Sequence, residues 1–230
     1  MAGATIVRST VAAGRPVRCR GMYLDVFDRN PFGTNCWLLA AEDSEDAVVV
    51  DPGFEPDAVR AMLDAAGKRP VAVLLTHAHL DHAGSAGAFA GDDVPVFCHP
   101  ADALAFTDPV AWRRDDFPNP LAPVKDLRPF EDGDVLRFAG FELEVWHTPG
   151  HTPGHCIFRV ERDVLVFSGD LVFAGTIGRS DFANSDPEAM GRSLRRFLTL
   201  PDGLPVLPGH GPRTDVGAER ATNPHLRGLA

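Results

Sequence analysis

A mixed α and β architecture is expected for this chain of 230 residues. Short apolar runs of strand length recur along it, many rich in Val, Leu and Phe. Asp, Pro and Gly end these runs abruptly, as turn residues do. Two further segments carry helical periodicity with recognisable starts and stops.

The first half reads as strands followed by a helix. Val17 to Phe27 is an apolar, strand-like run. Asn35 to Ala41 (NCWLLAA) and Ala47 to Val50 (AVVV) read as buried strands joined by the acidic turn Glu42 to Asp46. Asp51-Pro52-Gly53 stops the second of them. Pro56 opens a helix through Ala66, with Val59, Met62 and Leu63 on one face and Gly67 beyond its end. Val71 to Leu75 is β-branched and apolar, as a central strand is. In the second half, strands are expected at Val94 to Cys98, Val135 to Phe138, Phe141 to Trp146, Cys156 to Val160 and Val164 to Phe167, with a short last one at Val206-Leu207. Asp186 is the expected N-cap of a helix reaching Leu198, with Pro187 in its first turn. Thr107 to Pro129 is rich in Pro and charge, lacks periodicity and reads as a long loop. With no linker or repeat between these elements, residues 1–230 read as a single domain.

Hydrophobic residues make up 44% and charged residues 23%, the balance of a globular enzyme. The net charge of −10 argues against a nucleic-acid partner, which needs a basic surface. It leaves small anionic substrates open, because a local positive site can override the global charge. No stretch has the length and apolarity of a membrane span or a signal peptide, so a cytoplasmic protein without a membrane partner is expected. Cys19, Cys36, Cys98 and Cys156 form no CxxC pair and read as reduced, buried thiols.

The chemistry concentrates in Thr76 to His82, T-H-A-H-L-D-H, directly after an expected strand. On extended backbone, residues two apart point to the same side, so His77 and His79 can meet one ion. Asp81 and His82 are adjacent, diverge, and suit a second ion beside the first. His151 lies in T-P-G-H-T-P-G-H, Asp170 in F-S-G-D and His210 in P-G-H-G. Each follows an apolar run within a glycine-containing turn, a placement that suits a metal site on loops at one rim of a sheet.

These motifs resemble the metallo-β-lactamase superfamily, and the series resembles its short bacterial glyoxalase II-like hydrolases. Asp51-Pro52-Gly53, Gly178-Arg179-Ser180-Asp181-Phe182 and Asn223-Pro224-His225-Leu226 add to that likeness, which runs from about Val17 to the end. The resemblance implies an αββα sandwich of two mixed β-sheets flanked by helices. It implies that His77, His79 and His151 hold one metal, that Asp81, His82 and His210 hold a second, and that Asp170 bridges them. Nitrogen and oxygen ligands without thiolate suit two divalent ions, zinc first, with iron or manganese also compatible. The remaining residues read more plainly: Asp51 anchors a turn or supports the ligands, Asp181 does likewise, His155 and His147 stand behind the ligands or pack, His99 is structural, and His225 is a surface or packing residue.

The resemblance further implies hydrolysis of a small thioester, an S-2-hydroxyacyl thiol such as S-lactoylglutathione, with Asp81 and Asp170 as catalytic residues. Only about 20 residues follow His210, too few for the helical domain with which longer glyoxalase II enzymes hold glutathione. The thiol carrier is therefore open, and Ala111 to Arg114 offers a basic loop for an anionic substrate. Two alternatives share the motifs. One is a persulfide dioxygenase with a single iron on His77, His151 and Asp170. The other is a lactonase or β-lactamase.

Overall fold

The computed structural model describes residues 5–7, 21–91, 94–113 and 121–229. In chain order the first half holds β1 (Thr5–Val7), β2 (Met22–Phe27), β3 (Cys36–Ala41), β4 (Asp46–Val50), α1 (Pro56–Ala65), β5 (Arg69–Leu74), α2 (Leu80–Ala83), α3 (Ala86–Gly91), β6 (Val96–Cys98), α4 (Pro100–Ala103), a 3-10 turn at Leu104–Phe106 and α5 (Pro109–Arg113). The second half holds β7 (Leu127–Pro129), β8 (Val135–Phe138), β9 (Phe141–His147), β10 (Cys156–Val160), β11 (Leu165–Gly169), β12 (Val172–Phe173), β13 (Thr176–Ile177), α6 (Pro187–Phe197), β14 (Pro205–Pro208), β15 (Thr214–Asp215) and α7 (Val216–Thr222).

The strands form two mixed sheets, in the orders β2-β3-β4-β5-β6-β7 and β1-β8-β9-β10-β11-β14-β15, and a separate two-stranded ribbon of β12 and β13. Alternation along each strand decides which layer a side chain enters. In β3, Trp37, Leu39 and Ala41 face the core shared with Leu143, Val145, Phe158 and Phe167 of the other sheet. Cys36, Leu38 and Ala40 face the opposite way and pack with Val59 and Leu63 of α1 and Phe89 of α3. On the far side, Ile157 and Val166 pack with Met190, Leu194 and Phe197 of α6 and Val216 of α7. Helix, sheet, sheet and helix therefore stack as the expected four-layer αββα sandwich.

Local signals set the element ends. Gly67 (φ +62°) terminates α1. Asp186 Oδ1 accepts from the Glu188 and Ala189 backbone N–H groups and caps α6. Cys36, Cys98 and Cys156 are free and buried, while Cys19 and residues 17–20 of the expected first run lie outside the described residues. The expected loop from Thr107 to Pro129 is corrected at its described ends, where α5 and β7 form. These segments are too short for periodicity to reveal, and β7 exists only by parallel pairing to β6. The same holds for α7 and the two-residue strands β12, β13 and β15.

The two sheets also meet through histidines. His99, after β6, stacks on His147, at the end of β9, with ring centroids 4.0 Å apart and planes 8° apart. His99 Nδ1 accepts from Ala101 N–H at the start of α4, so it is a neutral acceptor. Burial, then the neighbouring His147, push His99 down to about 4. Its folded value lies below the ordinary histidine value, so the unfolded chain binds more protons in between. The stability His99 contributes is complete above about pH 6.5 and is lost as pH falls through about 4. His99→Gln should therefore flatten part of the acid side of the stability–pH curve, measured by urea unfolding between those limits. In the inter-sheet core, Phe158 packs edge-on against Phe130 at 5.5 Å. Phe158→Ala should cost about 3–5 kcal/mol in the same assay.

Candidate metal centre

Strand direction brings the candidate residues to one rim. β4 and β5 run parallel, so Asp51 and Thr76 to His82 leave the first sheet at the same edge. β11 and β14 also run parallel, and β9 is antiparallel to β10, as β10 is to β11. The ends of β9, β11 and β14 thus deliver His151, Asp170 and His210 to one edge of the second sheet. Backbone bonds join the two edges, Cys156 N–H to Thr76 O at 2.8 Å and Asn35 N–H to Gly209 O at 2.7 Å.

All seven residues come together. His77, His79 and His151 present donor atoms within 4.8 Å of one another, and so do Asp81, His82 and His210. His79 Nδ1 lies 2.9 Å from His151 Nε2, and His82 Nε2 lies 3.2 Å from His210 Nε2. Asp170 stands between the groups. Its Oδ2 is 3.3 Å from His151 Nε2 and its Oδ1 is 3.3 Å from His82 Nε2. Asp81 Oδ2 is 3.3 Å from His210 Nε2 and accepts from Thr34 Oγ1 at 3.0 Å.

Surrounding bonds aim these nitrogens. His151 Nδ1 donates to Arg179 O at 2.7 Å, which turns the Nε2 lone pair inward. His82 Nδ1 pairs with Asp51 Oδ2 at 3.0 Å, leaving Nε2 for the site. Asp51, His77 and His82 form a third possible group. The Asp51 carboxylate, however, also accepts from Thr76 N–H and Thr76 Oγ1 at 2.7 and 2.6 Å, so it serves as a support. Asp51 adopts φ +53°, a left-handed conformation costing a side-chain residue about 1–3 kcal/mol, held in place by these three bonds. His155 lies behind the site. Its Nε2 accepts from Asp170 N–H at 3.0 Å while Nδ1 faces Thr148 Oγ1 at 2.9 Å, which occupies both nitrogens.

The charge is divided between the groups. Burial and neighbouring imidazoles hold His77, His79 and His155 well below the usual histidine range. Burial also lowers His82, but Asp170, Asp81 and Asp51 outweigh it and push it up to about 10. Burial raises Asp81, but His82, His210 and Thr34 outweigh it and hold the carboxyl well below the carboxylate range. His77 Nε2 and Asp170 Oδ1 are buried without a hydrogen-bond partner. Buried polar atoms are normally satisfied, and cations among five imidazoles and two carboxylates would satisfy both atoms.

Several site residues escape sequence reasoning. Phe182 lies edge-on to His79 and His151, at 5.3 and 5.8 Å between centroids. Trp112 lies edge-on to His79 at 5.6 Å, and Phe173 to His210 at 5.7 Å. Of the basic loop, Arg113 lies over Phe182 and is buried, and Arg114 is outside the described residues. Arg179 pairs with Asp181 and also covers Phe182. His147 Nε2 donates to Pro153 O, and His225 is exposed.

Comparison with known proteins decides the family. The model of the metallo-beta-lactamase superfamily matches residues 29–210. The chain belongs to that superfamily. This superfamily member is 34% identical over 209 residues to "Hydroxyacylglutathione hydrolase GloC" of Haemophilus influenzae, covering 89% of this chain and 98% of the relative. The structure of TTHA1623 in a di-iron-bound form is similar at 41% identity and a TM-score of 0.74, covering 88% of this chain and all of that one. BLEG-1 B3 metallo-beta-lactamase is similar at 32% identity and a TM-score of 0.80, covering 90% and 100%.

One glycine of this superfamily member makes the geometry testable. A Cβ on Gly209 would collide with Asp170 Oδ1 and come within 2.8 Å of His82 Cε1. Gly209→Ala should fold, judged by circular dichroism, yet retain less metal per chain by elemental analysis.

Proposed function

We propose that the chain is a two-metal hydrolase that cleaves the thioester of a small 2-hydroxyacyl thiol. The observation that carries this reading is the Asp170 carboxylate, which stands between the groups, with Oδ2 3.3 Å from His151 Nε2 and 3.6 Å from His210 Nε2 and Oδ1 3.3 Å from His82 Nε2. His77, His79 and His151 hold one divalent ion in this reading, and Asp81, His82 and His210 hold the other. Zinc is the first candidate, and the di-iron state of the similar TTHA1623 keeps iron in view. When bound, such an ion pair supplies Lewis-acid polarisation of a carbonyl and a water of lowered pKa.

The chain's own residues supply the rest. Asp170, fixed through its N–H by His155, sets the spacing between the two groups. Asp81, fixed by Thr34, presents a carboxylate oxygen that can orient the reacting water by accepting its hydrogen bond. Trp112, Phe173 and Phe182 wall the histidines and limit water around them. A thiol of pKa about 8.5 departs as thiolate without a proton donor. That suits a site whose titratable groups are committed to the two ligand groups. The substrate class follows the glyoxalase II-like motifs and the relative's name. In this reading the small thioester is the partner and the whole chain acts as one domain. Among the described residues no helix is long and apolar enough to cross a membrane.

Metal analysis and turnover of S-lactoylglutathione on the same purified sample test the proposal. His79→Ala and Asp170→Ala should lose metal and at least about 100-fold in kcat/KM, the scale on which ligand-shell changes act. Cys98→Ala should keep both. One iron per chain with oxygen uptake on a persulfide, or full turnover in Asp170→Ala, would overturn it.

A further inference from the structure

We propose that Asp102 is the positioning residue for the His77, His79 and His151 group, holding it in ion-binding geometry separately from the Asp81, His82 and His210 group. The proposal rests on the reading that both groups take metal ions.

Asp102 lies on α4, 24 residues from Ala78 and 50 from Thr152, and is wholly buried. Its carboxylate accepts four hydrogen bonds. Oδ2 takes Ala78 N–H at 3.0 Å and Thr152 Oγ1 at 2.7 Å. Oδ1 takes Gly154 N–H at 2.7 Å and Trp112 Nε1 at 3.1 Å. An ionised carboxylate has about four acceptor positions, so these donors fill it.

The identity of the donors gives the arrangement its meaning. Ala78 is the residue between His77 and His79. Thr152 follows His151 directly. Trp112 rests edge-on against the His79 ring. One side chain thus grips the backbone of the first two imidazoles, the residue next to the third and the ring beside the second. None of its four bonds reaches Asp81, His82 or His210. Gly154 makes the grip possible, because a Cβ there would stand 2.6 Å from Asp102 N and 2.8 Å from Asp102 Cβ.

No Lys or Arg is among the four partners. A buried carboxylate satisfied only by dipoles is costly unless another charge benefits. Burial raises the Asp102 carboxyl and its four donors oppose that; the negative potential they sustain lies behind the His77, His79 and His151 group and favours a cation there. General structural support would require only the bonds. Placing a charge behind one ligand group predicts an effect on that group alone.

Cobalt(II) titration of the metal-depleted full chain, followed by visible absorption, tests this. The wild type should take two equivalents. Asp102→Asn keeps the shape but sets an NH2 against obligate donors. It should weaken one cobalt site by about 10–100-fold and leave the other unchanged. In a His210→Ala background, which keeps only the first group intact, the remaining site should show the same loss. Thr152→Val keeps the carboxylate, removes one bond, and should show a smaller loss at the same site. It carries the test if Asp102→Asn fails to fold. Equal weakening of both sites, or a lowered melting temperature with unchanged cobalt affinity in Thr152→Val, would overturn the role of Asp102. A wild-type chain that binds no cobalt would instead defeat the metal reading itself.

Discussion

The parallel pairing of β4 with β5 and of β11 with β14 is the constraint on which the site depends. Parallel neighbours release their chains at the same edge, so the turns that follow them are neighbours in space. Asp51 and His77 to His82 leave one sheet there, and Asp170 and His210 leave the other. The inter-sheet core built on Trp37, Leu39, Phe158 and Phe167 then fixes the distance between the two edges. Close packing makes that distance stiff, because such an interior has little free volume to absorb a shift. Each ligand-capable group draws residues from both edges, so its closure is set in this way far from the imidazoles themselves.

On this frame, buried carboxylates outside the ligand groups do the fine positioning. Asp51 turns His82 and anchors Thr76. Asp102 anchors Ala78, Trp112, Thr152 and Gly154. Each gathers donors from segments distant in sequence, and each is satisfied without a formal counter-ion of Lys or Arg. The neutral His155 works in the same sense on the backbone of Asp170. The rim is therefore rigid where the imidazoles sit. Three aromatic rings pack edge-on against its imidazoles, Phe182 and Trp112 on His79 and Phe173 on His210.

Legibility followed the range of the interaction. His77, His79, Asp81 and His82 were readable because their spacing acts within one turn of chain. His151, Asp170 and His210 were readable because each follows an apolar run in a glycine turn. The inter-sheet face of β3 was implicit in its apolar run, though only the partner sheet shows which residues meet it. Asp102 sits in the unremarkable His99-Pro100-Ala101-Asp102, and nothing in those four residues points to Thr152, 50 positions on. Phe182 stood within a recognised motif, yet its contact with His79 crosses the sandwich rim and leaves no local trace. The short α5, β7 and α7 carried too few residues for any period to register.

The sequence by itself determined a mixed α and β chain and the residue types available for chemistry, because alternation and motif spacing are properties of neighbouring residues, while the four-layer sandwich was implied only by the family that its motifs resemble. Only the tertiary structure decided that the Asp170 carboxylate stands between the two groups, that His155 spends both nitrogens behind it, and that Asp102 grips a single group. Those outcomes depend on directions and distances between strand ends, and long-range packing sets these where the local order of residues does not.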